Sequence, residues 1–462
     1  MNAAIWLLVI FVEGFASLGI EIIALRRLVP QIGSSITVTA PTIALFLLAL
    51  AAGYWSGGRI AQDFERRVLR NFLAAALIAG VGLSSVVVEA LFGTVQDPWL
   101  AYLLLMALVV CPPAWLLAQT VPLLTNILPQ RRVGAASGVA LTASTAGSVL
   151  GAAVLALVVM QRLGVAAAVL LCAATLALVV LAAASRAGQR PLAGIAALVL
   201  VGVTAVNLMP RSGTHETAYA DYRTVERQTV SLSDGLPGTD RTLIINNQLA
   251  SQLGGARGAD GSVPKRAAYV ERLQQVLLQE LQLADRRILV LGAGGFTLSL
   301  GDASNHYTYV DVDPAIQQIA ERDFLGGPIA GEFIAADARG FIRGTDQRFD
   351  AVVVDVYSAH AAMPAHLVTL EFWQSLRRPL TDGGTVLANL ILDGPLASAF
   401  ARNLLATIEE ALGRCTVDVL HRTRRISNVL VVCRPSGTAL PPVQLYTDDL
   451  NRVERDRGIL GY

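Results

Sequence analysis

Residues 288–314 read ILVLGAGGFTLSLGDASNHYTYVDVDP, and this stretch decides the fold. The apolar run Ile288–Leu291 has the length and composition of a strand buried on both faces. Gly292, Gly294 and Gly295 follow at once, where the backbone must turn sharply and can approach a ligand closely. A second β-like run, Tyr307–Val312, brings Asp311 and Asp313 to its end. Strand, glycine turn, helix and strand, with an acid about twenty residues beyond the glycines, is the pattern of a nucleotide-binding α/β unit. The acid at the second strand's tip is the group that takes ribose hydroxyls.

The alternation continues downstream. The pattern predicts a helix over 315–324, a strand over 331–336 ending in Asp337, and a strand over 350–354 ending in Asp355. Beyond these come a helix over 369–376, a strand over 385–392, a helix over 395–412, and strands over 415–420 and 428–433. Asp311, Asp337 and Asp355 would then line the carboxyl edge of one sheet, where ligands bind in this architecture. Strand-end acids also cap helices, and Asp313, ahead of Pro314, is read that way. Upstream, Thr224–Leu232 and Arg241–Asn246 predict a β-hairpin, Gln248–Pro264 a mobile loop, and Ala267–Leu281 a helix.

The first 210 residues have a different character. Of 462 residues 54% are hydrophobic and 15% charged, against about a quarter charged in soluble domains. Seven stretches, 3–25, 38–57, 72–92, 101–125, 135–160, 165–184 and 192–209, are each about long enough to cross a bilayer. The first lacks a basic start and carries Glu13 and Glu21, so it is read as a span rather than a cleaved leader. Glu13, Ser17 and Glu21 share one helix face, as a polar lining or as interhelical partners. The net charge of +1 argues against a nucleic-acid partner. The four cysteines show no CxxC spacing, so no metal is expected, and a 415–433 disulfide is possible without being indicated.

The sequence is thus expected to form an α-helical polytopic membrane domain (1–212), a β-hairpin and loop (213–265), a Rossmann-like α/β domain (266–446) and a charged, peripheral tail (447–462). The membrane would be a bacterial inner membrane. Arginines concentrate in the loops after the second, fourth and sixth spans, which places the N-terminus in the cytoplasm. By this bias seven crossings would put the α/β domain outside, but a nucleotide-derived ligand is normally available inside, and the domain is expected in the cytoplasm.

Residues 219–395 resemble the spermidine synthase family, whose Rossmann-like domain is shared with class I methyltransferases. The resemblance rests on the hairpin, Tyr269-x-Glu271, the glycine turn, VDVDP, ADA at 336–338 and DAVVVDVY at 350–357. The membrane part, with GIEIIALRRLVP at 19–30 and GSSITV at 33–38, is similar to bacterial proteins that fuse such a domain behind a multi-helix module. The resemblance implies that Gly292, Gly294 and Gly295 pass close to a sulfonium co-substrate, decarboxylated S-adenosylmethionine or S-adenosylmethionine itself. Asp311 would hold the ribose and Asp337 with Ala338 the adenine. Asp355 would accept a proton from an attacking amine, with Tyr269 and Glu271 as further active-site residues. His360 and His366 lie in the loop after Asp355. A small amine as substrate, the bilayer and a homodimer follow as expected partners.

This chain departs from the family at several points. Gly295 stands where an Asp is usual, Lys265-Arg266 replaces an acidic pair, Ser358 replaces a second acid, and Ala250 aligns with a binding glutamine. Aminopropyl transfer, methyl transfer and a degenerate sensor domain regulating the helices therefore remain as readings.

Overall fold

The structure, a computed structural model, describes residues 3–33, 35–60, 62–125, 133–209, 213–230, 237–254, 264–357, 363–422, 425–435, 445–449 and 453. By internal packing the chain divides into Met1–Ser212 with Glu216–Ala218, and Gly213–His215 with Tyr219–Tyr462.

The first unit is helical. Among the described residues five of its helices are long and apolar enough to cross a membrane, or six if the bent pair Phe64–Gly82 and Ser85–Thr94 is one span. That pair replaces the single straight helix expected over 72–92. The chain bends by 62° where Ser84 leaves one helix and caps the next through the Val87 N–H. The segment Gly134–Arg186 is one run of 53 residues, but Gly164 within it has φ +81° and is not helical. This break falls between the fifth and sixth expected spans.

The first helix, Ala3–Ile32, runs past the expected end at residue 25. Arg26 and Arg27 are therefore buried helical residues rather than loop charges. Arg26 donates twice to the Thr217 carbonyl, and Arg27 to the Leu83 carbonyl and to Glu216 at 2.8 Å. Glu13 accepts a hydrogen bond from Ser144. A Cβ on Gly147 would lie 2.0 Å from the Phe11 carbonyl oxygen, and one on Gly151 2.3 Å from that of Phe15. The two helices meet backbone to backbone, as small residues four apart allow.

The second unit holds two sheets. In the smaller, β1 (Thr214–Glu216), β2 (Asp221–Val230), β3 (Pro237–Ile245), β4 (Gln248–Gly254) and β5 (Lys265–Arg266) pair in sequence order. The expected hairpin is present as β2 and β3, with Tyr222 opposite Ile245, but it belongs to five strands. Residues 248–254, expected within a mobile loop, form β4. The turn that starts it, Asn246-Asn247, has φ +50° and +61°, the left-handed pair that closes tight hairpins. β4 is hard to see in the sequence because Ser251 occupies one of its two buried positions beside Leu253. Residues 255–263 lie outside the described residues.

The larger sheet comprises β6 (Arg287–Leu291), β7 (His306–Asp311), β8 (Glu332–Ala335), β9 (Phe349–Val354), β10 (Leu380–Leu392), β11 (Cys415–Val419) and β12 (Ser427–Cys433). Their order is β11-β12-β10-β9-β6-β7-β8. β6 to β10 are parallel, and β12 runs antiparallel between β10 and β11. This is a Rossmann-like α/β domain, with the order reversing at β6 as in doubly wound folds.

β6 is apolar throughout because both faces are covered. Leu289 and Leu291 pack into one core, Ile288 and Val290 into the other. Sequence expectation missed the short helix Ala338–Gly344. At the far edge Cys415 and Cys433 face each other in register and are bonded, with Cα atoms 4.2 Å apart. Of the tail from 447, expected to be peripheral, Asp448 pairs with the Arg339 guanidinium.

Candidate active site

The parallel register brings the ends of β6, β7, β8 and β9 to one edge. Asp311 closes β7 opposite Ala335 of β8, and Asp355 follows Val354, which pairs with Leu291. Gly292 leaves β6 at φ +91°, and a Cβ there would lie 2.1 Å from the Asp355 carbonyl oxygen. Only glycine fits where the turn after β6 crosses the end of β9.

Asp311 shapes that turn. Its Oδ2 accepts the Ala293 N–H at 3.0 Å and its Oδ1 the Asp313 N–H at 3.1 Å. Burial raises its pKa, and these backbone donors hold the rise back. Asp313 is buried, and its carboxylate accepts the Ala315 N–H and the Tyr222 hydroxyl at 2.8 Å. It caps the next turn, as its place before Pro314 suggested.

Gly294 has φ +49° and remains open apart from the Ser251 hydroxyl. Gly295 is different. Its N–H donates to the Ser251 Oγ at 2.9 Å, and a Cβ would meet the Phe324 ring at 2.4 Å and Ser251 Cβ at 2.7 Å. The place where the resemblance expects an acid is filled by a serine from β4 and a phenylalanine.

Asp355 is half-buried. Its Oδ1 accepts the Asn389 Nδ2–H at 2.8 Å, and its carboxylate also accepts the Tyr269 hydroxyl. Burial pushes its pKa up to about 6, against the pull of these two donors. Burial likewise raises the Tyr269 hydroxyl well above its usual range, with the Asp355 charge adding to it. Tyr269 thus stays a neutral donor, which also reaches the Ala250 carbonyl at 3.4 Å. Tyr357 donates to the Asn389 carbonyl at 2.6 Å and accepts the Ile391 N–H at 2.9 Å.

Asp337 follows Ala336, whose N–H donates to the Asp311 carbonyl at the same edge. Glu271 is exposed and accepts the backbone N–H of Arg266, just before its own helix. Asp337 caps the helix that Ala338 opens, through the Gly340 N–H at 2.8 Å, and His366 Nε2 lies 3.2 Å from its other oxygen. Ala338 is buried. Arg266, in place of an expected acid, braces the segment after the glycines by donating to the Thr297 and Leu300 carbonyls. His360 and Ser358 lie outside the described residues. No group of metal-ligating side chains occurs among the described residues.

The structure thus joins Asp355, Tyr269 and the glycine turn, and adds Asn389, Tyr357 and Ser251, which the sequence reading did not single out. Ser251 and Asn389 are polar residues at buried strand positions, which only the sheet register brings to the site.

No family model matches the chain. It is 32% identical over 111 residues to a polyamine aminopropyltransferase of Vibrio vulnificus, covering 22% of this chain and 37% of that protein. It is 28% identical over 175 residues to polyamine aminopropyltransferase 1 of Streptomyces coelicolor, covering 35% and 32%. The chain therefore spans about a third of the length of these curated relatives. Among solved structures, a probable spermidine synthase from Corynebacterium glutamicum aligns at 21% identity over 50% of this chain and 82% of that one, with a TM-score of 0.39. Spermidine synthase from Thermotoga maritima aligns at 15% identity over 53% and 91%, with a TM-score of 0.32. The sequence matches relate part of the chain to polyamine aminopropyltransferases.

Proposed function

From that relationship, we propose that the chain is a membrane-anchored transferase of spermidine-synthase type. It would move the aminopropyl group of decarboxylated S-adenosylmethionine to a small amine. The amine nitrogen attacks the carbon beside the sulfonium, a C–N bond forms, and the C–S pair returns to sulfur to leave a thioether. The nitrogen must shed a proton, and Asp355 accepts it. The observation that carries this reading is the Asp355 carboxylate itself: half-buried, beside the glycine turn, with its pKa raised to about 6. A carboxylate so placed is ionised at neutral pH yet basic enough to take a proton.

The residues present fit such a co-substrate in part. The open backbone at Gly294 and the carboxylate of Asp311 suit a ribose and its sulfonium. The positive sulfonium also gains from nearby acids. Ser251 and Phe324 leave no room for an acid at Gly295, so no carboxylate there would hold the aminopropyl ammonium. That supports a second reading, methyl transfer from S-adenosylmethionine, whose own carboxylate an acid at this place would repel.

Calorimetric titration of the detergent-solubilised full chain with both sulfonium compounds and methylthioadenosine separates the two. Tighter binding of the decarboxylated form supports aminopropyl transfer, tighter binding of S-adenosylmethionine supports methyl transfer, and binding of none removes the enzyme reading.

The helical unit is proposed to lie in a bilayer. Its long apolar helices and exposed Leu47, Leu48, Leu108, Leu157 and Leu198 are what a lipid-facing surface requires. A single helix over Gly134–Arg186 would span about 80 Å, far beyond a hydrocarbon layer. Counted as two spans divided at Gly164, with the bent pair as one, the crossings number seven. With Arg26 and Arg27 removed from the first loop, the arginine bias for an inside N-terminus sharpens. The bonded Cys415–Cys433 pair adds to this, since disulfides persist in oxidising compartments. An outward-facing α/β unit is the reading these features support.

A further inference from the structure

Asp355 is not held by the glycine turn alone. Asn389 lies at the middle of β10, 2% exposed, opposite Leu430 of β12. Its Nδ2 donates to Asp355 Oδ1 at 2.8 Å, and its Oδ1 accepts the Asn428 Nδ2–H at 2.9 Å. Asn428 stands two residues before Leu430 on β12, on the same face and diagonal to Asn389. A wire of side-chain amides therefore crosses from β12 through β10 to the end of β9.

The direction of that wire matters. A carboxamide turned end for end has almost the same shape, but it would set its oxygen against the Asp355 carboxylate. The Asp355 carboxylate only accepts, so it takes the Nδ2 end of Asn389, and the Asn389 oxygen left facing β12 accepts the Asn428 N–H. The backbone of the same residue is also tied. β9 pairs with β10 only as far as Val354–Ala388. Beyond that point the Tyr357 hydroxyl occupies the Asn389 carbonyl and the Ile391 N–H, where a longer strand would have paired.

We propose that Asn389, braced by Asn428, is the positioning residue that aims the Asp355 carboxylate and sets the pH range in which it accepts a proton. The inference deepens the transferase reading and rests on it for its kinetic consequence, though not for its electrostatic one. A donor removed from a carboxylate favours the protonated form. Among the described residues, Tyr269 is the titratable side chain bonded to Asp355, with Tyr357 beyond it, and burial keeps Tyr269 a neutral donor.

The test is a direct titration of Asp355 by infrared difference spectroscopy on the full chain in detergent, with Asp355→Asn identifying the band. Asn389→Leu is expected to move the carboxyl transition up by about one pH unit. Asn428→Ala is expected to move it in the same direction by less, and Asn428→Ser, which keeps a donor, to restore most of it. Where transfer is measurable, the acid limb of kcat should follow the same order with KM for the sulfonium compound unchanged. An Asp355 transition unmoved in Asn389→Leu, in protein with wild-type thermal unfolding, overturns the relay. If Asn389→Leu fails to fold, Asn428→Ala against Asn428→Ser decides, and equal transitions in the two overturn it. Absence of transfer in the wild type with a shifted band would contradict the transferase reading and leave the relay standing.

Discussion

At the scale of single residues, two conflicting demands meet at Asp355. A proton acceptor must stand where an amine can reach it, yet burial opposes its charge. With a folded pKa of about 6 above the ordinary carboxylate value, the folded chain binds this proton more tightly than the unfolded one. The contribution is therefore fully present in acid and is lost as pH rises through about 6. Asp355→Asn is accordingly expected to melt higher than wild type at neutral pH by about 2 °C or more. Differential scanning of the two proteins checks this, and a lower midpoint would show that the ionised carboxylate is stabilising. Activity should fall about tenfold per pH unit below about 6, since only the ionised form takes a proton. Gly292→Ala puts a methyl group 2.1 Å from the Asp355 carbonyl oxygen at a backbone φ of +91°. It should destabilise the α/β unit by about 2 kcal/mol or more, read as a lowered denaturation midpoint.

At the scale of elements, the central motif was legible because it is local. An apolar run, three glycines and a strand tipped with acids form a contiguous 27-residue stretch, and short-range rules suffice for it. The partners of Asp355 were not legible. Asn389 is 34 positions from Asp355, and Asn428 a further 39, so only the sheet register brings them together. β4 was hidden for a related reason: its inward Ser251 is chosen by the turn it must bond, and breaks the alternation that marks a strand. Asp337 and Asp313 show the converse, since an acid at a strand tip is equally suited to the next helix's free N–H groups. At the sheet edge, the Cys415–Cys433 bond closes a loop of 18 residues. Cys433→Ser should cost about 3 kcal/mol if loop entropy dominates, measured as unfolding of the oxidised wild type against the variant.

At the scale of the whole molecule, composition separated two classes of sequence correctly. It could not place the bend at Ser84 or the end of the first helix. A bend at Ser84 and a break at Gly164 are decided by single caps and single dihedral angles, which average hydropathy does not register. The outward placement proposed for the α/β unit predicts that a reporter active only in an oxidising compartment will be active when fused after Tyr462. It also predicts that Cys415 and Cys433 resist alkylation in intact cells until reduced. A silent reporter with both thiols free would place the unit in the cytoplasm.

The most direct test of the central claim is single-turnover transfer of a labelled aminopropyl group to a small amine. The full chain and its Asp355→Asn variant would be compared in detergent, each saturated with decarboxylated S-adenosylmethionine. The account predicts transfer by the wild type and a loss of about a hundredfold or more in the variant, with co-substrate binding retained. Transfer by the variant at the wild-type rate would contradict it.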